Sequence, residues 1–242
     1  MGVHEKRWQG VRQRIEDAAR AAGGAPGSVR LLAVSKTFPA DAVRCVHGLG
    51  QRAFGENYVQ EAVEKRARLA DLAGLEWHLI GPLQANKARV AATTFDWVET
   101  IDRPRIAERL SAARPAAGPP LDVLVQVNVS GEATKSGVDP AAALELARYV
   151  ARLPNLRLRG IMGIPAPTGD AERLRAQFRA LRRCFDACRD AGLAVDTLSM
   201  GMSADLELAV AEGATEVRVG TAIFGERGAK TGAGGEPGEG KA

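Results

Sequence analysis

Apolar and polar residues are laid out along this chain in alternating blocks. Trp8, Val11, Ile15, Ala18 and Ala22 recur at intervals of three and four, which places them on one stripe of a first helix, and GGAPGS ends it. Eight short β-type runs follow: LLAVS, RAFGE, EWHLIG, DWVET, LDVLVQVNV, LRGIMGI, VDTLSM and EVRVG. Between them lie runs with helical spacing, over 39–49, 58–72, 84–92, 103–113, 139–153, 170–191 and 203–212. Strands that alternate with helices predict a parallel sheet with right-handed crossovers. Eight such units in 242 residues predict a closed (β/α)8 barrel, whose usual size is about 250 residues. The rival, a doubly wound open sheet, would place a Gly-rich turn after its first strand, and VSKTFPAD has none. One α/β domain over residues 1–226 is therefore expected. From Arg227 the chain reads RGAKTGAGGEPGEGKA, Gly-rich and nearly without large apolar residues, a composition that predicts a disordered tail over 227–242.

Composition narrows the function classes. No run approaches the roughly 18 apolar residues of a membrane span, and the opening MGVHEKRWQG has no signal-peptide core, so no membrane partner and a cytoplasmic location are expected. Three cysteines, Cys45, Cys184 and Cys188, are read as reduced thiols, the last two packed in the core. The net charge is +4 and the pI near 9.2, yet the basic residues are dispersed among 29 acidic ones, so nucleic acid is not an expected partner. Arginine supplies 26 of the 33 basic residues, which makes each lysine the rarer choice.

Lys36 ends the first strand run, at the rim where a barrel gathers its ligand groups. At the same rim strand two ends in FGENY, strand three in HLIGPLQANK, strand seven in SMGMSAD and strand eight in RVGTAIFG. The last two loops are where such barrels commonly bind phosphate, and they offer Ser199, Gly201, Ser203, Gly220 and Thr221. Ser203 could equally be the N-cap of the helix over 204–212, and Asp205 should point away from an anion. Within strand eight Val217 and Val219 share one face and Arg218 and Gly220 the other, so valines against the helices would turn Arg218 into the barrel mouth. A reactive lysine opposite a phosphate cradle suits an aldehyde phosphate held as a Schiff base, and pyridoxal 5′-phosphate is the obvious candidate.

The segments LLAVSKT, FGENYVQE, WHLIGPLQANK, TKSG, LSMGMSADLELAV and VRVGTAIFG, in this order, resemble the YggS/PROSC-type pyridoxal phosphate homeostasis proteins, related to the alanine racemase N-terminal barrel. The resemblance spans about residues 5 to 226. It implies that Lys36 carries the cofactor as an internal aldimine, that the Ser199 to Ser203 loop with Gly220 and Thr221 binds the phosphate, that Arg218 lies near the pyridine nitrogen and that Asn57 lines the site. An arginine there disfavours protonation of the ring nitrogen and weakens the ring as an electron sink. His78 and Lys135 fall in matching segments without a settled role. Phe38 departs from the family pattern.

Two functions compete. One is a monomeric protein, not an enzyme, that stores pyridoxal phosphate and delivers it to apoenzymes. The other is an amino-acid racemase, which needs an acid/base group on each face of the bound substrate. Lys36 can serve one face, and Tyr58 beside Asn57 is the only tyrosine near enough to serve the other.

Overall fold

A computed structural model describes residues 2–132 and 135–226. The Gly-rich segment from Arg227, expected to be disordered, lies outside the described residues. Helix α1 (Val3–Ala21) precedes the barrel. Eight units follow: β1 (Arg30–Val34) with α2 (Ala40–Gly48), β2 (Ala53–Glu56) with α3 (Val59–Arg68), β3 (Glu76–Leu79) with α4 (Ala88–Thr94), β4 (Trp97–Ile101) with α5 (Pro104–Ala113), β5 (Leu121–Val127) with α6 (Ala143–Ala151), β6 (Leu156–Gly163) with α7 (Ala171–Asp190), β7 (Thr197–Ser199) with α8 (Leu206–Ala211), and β8 (Glu216–Val219) with the short α9 (Thr221–Phe224). All neighbouring strands pair in parallel and β8 closes on β1, giving the predicted (β/α)8 barrel.

Strand alternation sorts the side chains into two cores. Outward residues such as Ala33, Phe54, Trp77, Val98, Val217 and Val219 pack against the helices in the larger apolar cluster. Trp97, Leu124 and Met162 form a small separate cluster, and buried Glu99, His78, Glu216 and Arg218 alternate with the outward positions along their strands. The barrel interior is thus partly ionic. Helix α1 packs on α8 and α9 through buried Val11, Ile15 and Ala19. Burying an Ile or Val side chain contributes roughly 1.5–3 kcal/mol, so this stripe alone anchors the helix. Ala22, expected on that stripe, is exposed at the C-cap, and Ala19 takes the buried position.

Cys184 and Cys188 are buried and Cys45 is exposed, all three as free thiols. Burial pushes the Cys188 thiol up to about 11, which makes it inert. Among the described residues no helix is long and apolar enough to cross a membrane.

Candidate functional site

The C-terminal ends of the strands surround a cavity of about 330 Å³. Six of the eight residues singled out from the sequence line it: Lys36, Asn57, Ser203, Arg218, Gly220 and Thr221, alongside Val34, Phe38, Ile80, Ile164, Met202 and Ala204. The polar groups therefore share one chamber with an apolar wall. Ser199 and Gly201 are buried behind that wall and do not line the cavity.

Strand β1 ends at Val34, one residue before the expected Ser35. A turn over Ser35 to Phe38 then carries Lys36, half-buried, into the cavity wall, and the Phe38 amide closes the turn by donating to the Ser35 carbonyl at 3.0 Å. Thr37 has φ +68°, a left-handed conformation that is uncommon for a β-branched residue. Asn57 follows β2 directly, and its buried Oδ1 has no protein hydrogen-bond partner.

On the opposite side the β7 and β8 loops meet. Thr221 Oγ1 lies 3.3 Å from Ser203 Oγ, so two hydroxyls share one small patch. Helix α8 starts only at Leu206, which replaces the reading of Ser203 as the N-cap of a helix over 204–212. The loop is closed instead by Asp205, whose carboxylate accepts from the Met202 amide at 2.6 Å and does not line the cavity. Gly201 has φ +94°, and a Cβ there would meet Ala209 Cβ at 2.5 Å, so only glycine fits. A Cβ on Gly220 would come within 3.1 Å of the Val34 carbonyl and fill the cleft between β8 and β1. Helix α1 supports this rim: Arg14 donates to the Ser203 carbonyl at 3.0 Å and pairs with Glu207 at 2.7 Å.

Arg218 is the floor. It donates to Ser199 Oγ and to the Gly163 carbonyl, both at 2.8 Å, and is 4% exposed. The expected inward orientation is thus observed. Burial lowers its pKa from the ordinary arginine value, and Glu99, Glu216 and Asp205 pull it back, so the guanidinium stays charged. Ser199 Oγ passes the chain on, donating to Glu99 Oε2 at 2.7 Å.

Below this lies His78, between Glu99 at 2.7 Å and Glu76 at 2.8 Å and stacked on Trp97. Burial disfavours the imidazolium, but the hydrogen bonds to Glu76 and Glu99 outweigh it and hold His78 up to about 9. Glu76 is correspondingly drawn down to about 2, burial notwithstanding, and also pairs with Arg30. Glu216 is pushed up to about 7 by burial and by the charge on Glu99. His78, Glu99 and Glu216 bring ligand-type atoms within 4.8 Å of one another. Glu76, Glu99 and Glu216 thus face Arg30, His78 and Arg218 inside the barrel, with Glu216 the acid held nearest to its neutral form. His78 is part of this ionic core and does not line the cavity.

One feature was not anticipated from the sequence. Behind Lys36, on the outer side of the barrel wall, Lys65 of α3 is buried against Glu56, Glu61 and the Ser35 carbonyl at 2.7, 2.8 and 2.7 Å. Lys135 pairs with Glu132 at 2.9 Å and does not line the cavity.

The alanine racemase N-terminal domain family matches residues 9–228. The chain is 59% identical over 217 residues to the pyridoxal phosphate homeostasis protein of Pseudomonas aeruginosa, covering 90% of this chain and 93% of that protein. It is 52% identical over 219 residues to the Escherichia coli K12 protein of the same name, covering 90% and 94%. Among solved structures, PipY of Synechococcus elongatus with PLP bound superposes with a TM-score of 0.75 at 42% identity, covering 87% of this chain and 100% of that one.

Proposed function

The chain belongs to the pyridoxal phosphate homeostasis proteins of the alanine racemase N-terminal domain family, and from that membership we propose that it binds pyridoxal 5′-phosphate in the barrel mouth and serves as an intracellular carrier. The observation that carries the proposal is the convergence of Lys36, Asn57, Ser203, Arg218, Gly220 and Thr221 on one cavity. The donor set fits the cofactor. It offers an amine for an aldehyde, two hydroxyls and a glycine cleft for a phosphate, and the unpartnered Asn57 Oδ1.

Each residue then has a task. Lys36 is the amine that would condense with the aldehyde, releasing water. Ser203 and Thr221 would donate to the phosphate, while Gly220 leaves the cleft open and Gly201 lets the loop turn behind it. Phe38, Ile80, Ile164 and Met202 supply apolar surface for an aromatic ring. Arg218 presents a donor that has no proton-accepting site, so it holds the ring nitrogen unprotonated. Ser199 reaches the cofactor only through Arg218. When bound, pyridoxal phosphate supplies a reactive aldehyde and an electron-withdrawing ring, and Arg218 restrains the second property. That restraint favours holding over turnover. A cytoplasmic location and a monomeric state accompany this reading.

Borohydride reduction of the loaded protein followed by peptide mapping tests it. The pyridoxyl group is expected on the peptide containing Lys36. Label on Lys87 or Lys135 would overturn the assignment. Ser203→Ala and Thr221→Ala are expected to weaken pyridoxal phosphate by about 1.5–3 kcal/mol each, the value of a hydrogen bond to a charged group. Unphosphorylated pyridoxal should be unaffected, and equal weakening of both ligands would move the phosphate elsewhere.

A further inference from the structure

We propose that Lys65, with Glu56 and Glu61, is a clamp that sets the turn bearing Lys36, which makes Lys65 a positioning residue for the amine at the barrel mouth. The inference rests on the reading of Lys36 as the attachment point. Three independent features of the structure converge on it.

The first is the turn. Ser35 to Phe38 is closed between its first and fourth residues, with Lys36 second and Thr37 third at φ +68°. A positive φ at the third residue is the mark of a type II turn, which normally takes glycine or asparagine there. Threonine holds such a conformation only where its surroundings over-determine it.

The second is the set of contacts that over-determines it. Lys65 Nζ has three hydrogens and three acceptors: the Ser35 carbonyl at 2.7 Å, Glu56 Oε1 at 2.7 Å and Glu61 Oε1 at 2.8 Å. Glu61 Oε1 also accepts from the Thr37 amide at 2.6 Å, and Ser35 Oγ donates to Glu56 Oε1 at 2.5 Å. The first and third residues of the turn are therefore tied to one ammonium, directly and through one carboxylate, and Lys36 sits between them.

The third is the cost of the arrangement. Lys65 is 5% exposed on a helix whose Glu64, Arg66 and Arg68 are exposed, and Glu56 is fully buried with Oε2 lacking a hydrogen-bond partner. Well-packed apolar residues in such a place are often as stabilising as the ion pair or more so. Stability alone does not ask for this pair, whereas fixing the backbone on both sides of Lys36 does.

The experiment uses Glu61→Ala, because Glu61 is 24% exposed and its truncation leaves the Lys65–Glu56 pair intact. In the cofactor-free protein, exchange of the Thr37 amide should accelerate roughly tenfold, as expected for loss of a charge-assisted hydrogen bond. Pyridoxal phosphate should bind roughly tenfold more weakly. Pyridoxine 5′-phosphate, which carries an alcohol in place of the aldehyde, should bind as before. Glu61→Gln keeps an acceptor for both Thr37 and Lys65 and should behave as the native chain. Unchanged Thr37 exchange in Glu61→Ala, or equal losses for the aldehyde and the alcohol, would overturn the clamp. If reduction of the native protein labels a lysine other than Lys36, the reading of the site fails, while Thr37 exchange still reports whether the clamp exists.

Discussion

At His78, burial and hydrogen bonding act in opposite directions, and hydrogen bonding wins. Because its folded pKa of about 9 lies above the ordinary 6.5, its contribution to stability is complete below pH 6.5 and is lost as pH rises through about 9. Glu216 acts in the same sense over a lower window, since its pKa of about 7 exceeds the ordinary 4.5. Glu76 runs the other way, and its contribution is lost as pH falls from 4.5 towards about 2. Melting temperature should therefore fall steadily between pH 6.5 and 9, with a loss on the order of 3 kcal/mol from His78. His78→Gln should be less stable at pH 6.5 and should fall less steeply across that range, keeping only the slope that Glu216 contributes; a slope equal to that of the native chain would show that His78 is not charged. The role of His78 is not legible in the sequence because Glu99 and Glu216 reach it from β4 and β8, and only Glu76 stands near it on β3. The legible signal was weaker: ionisable residues inside otherwise apolar strands, as in EWHLIG, DWVET and EVRVG.

Elements were read more reliably than contacts. All eight strand runs fall on observed strands, because apolar blocks report burial; most helices between them start or end a residue or more inside the predicted span, whereas α4 starts four residues later than predicted and runs two residues further. The Lys65 clamp was not legible, since Glu61 and Lys65 read as an ordinary i,i+4 pair on a helix surface and nothing local brings Ser35 to them. The same holds for α1. Its stripe predicts a packed helix, whereas its grip on the β7 loop comes from Arg14 on the edge of that stripe. Arg14→Ala removes the support of the Ser203 carbonyl while leaving Val11 and Ile15 buried. It should weaken pyridoxal phosphate more than pyridoxal, with little change in melting temperature, as binding titrations and a thermal melt would show. Equal binding of both ligands to variant and native protein would confine α1 to a packing role.

At the scale of the whole molecule, the proposed carrier and the racemase differ in what surrounds the barrel mouth. Tyr58, Met202 and Ile164 at that rim are 62%, 40% and 37% exposed, so water and small amines can reach the chamber. A racemase needs a proton-transfer group on each face of the substrate within hydrogen-bond reach, held there by its surroundings. Tyr149 is committed to Glu108 between α6 and α5, which leaves Tyr58, a largely exposed side chain, as the tyrosine near the mouth. On the proposed reading, with Lys36 as the single amine and Arg218 restraining the ring, an open site should exchange cofactor readily and turn over amino acids slowly. The loaded protein is expected to restore activity to a pyridoxal phosphate-dependent apoenzyme while showing negligible exchange of solvent deuterium into the α-position of amino acids. Exchange near the enzymes' median turnover of about 10 s⁻¹, abolished by Tyr58→Phe, would instead establish the racemase. Reactivation should also be faster than cofactor loss into buffer if the carrier hands its cargo over directly; equal rates would mean that the recipient simply captures cofactor that has already left Lys36.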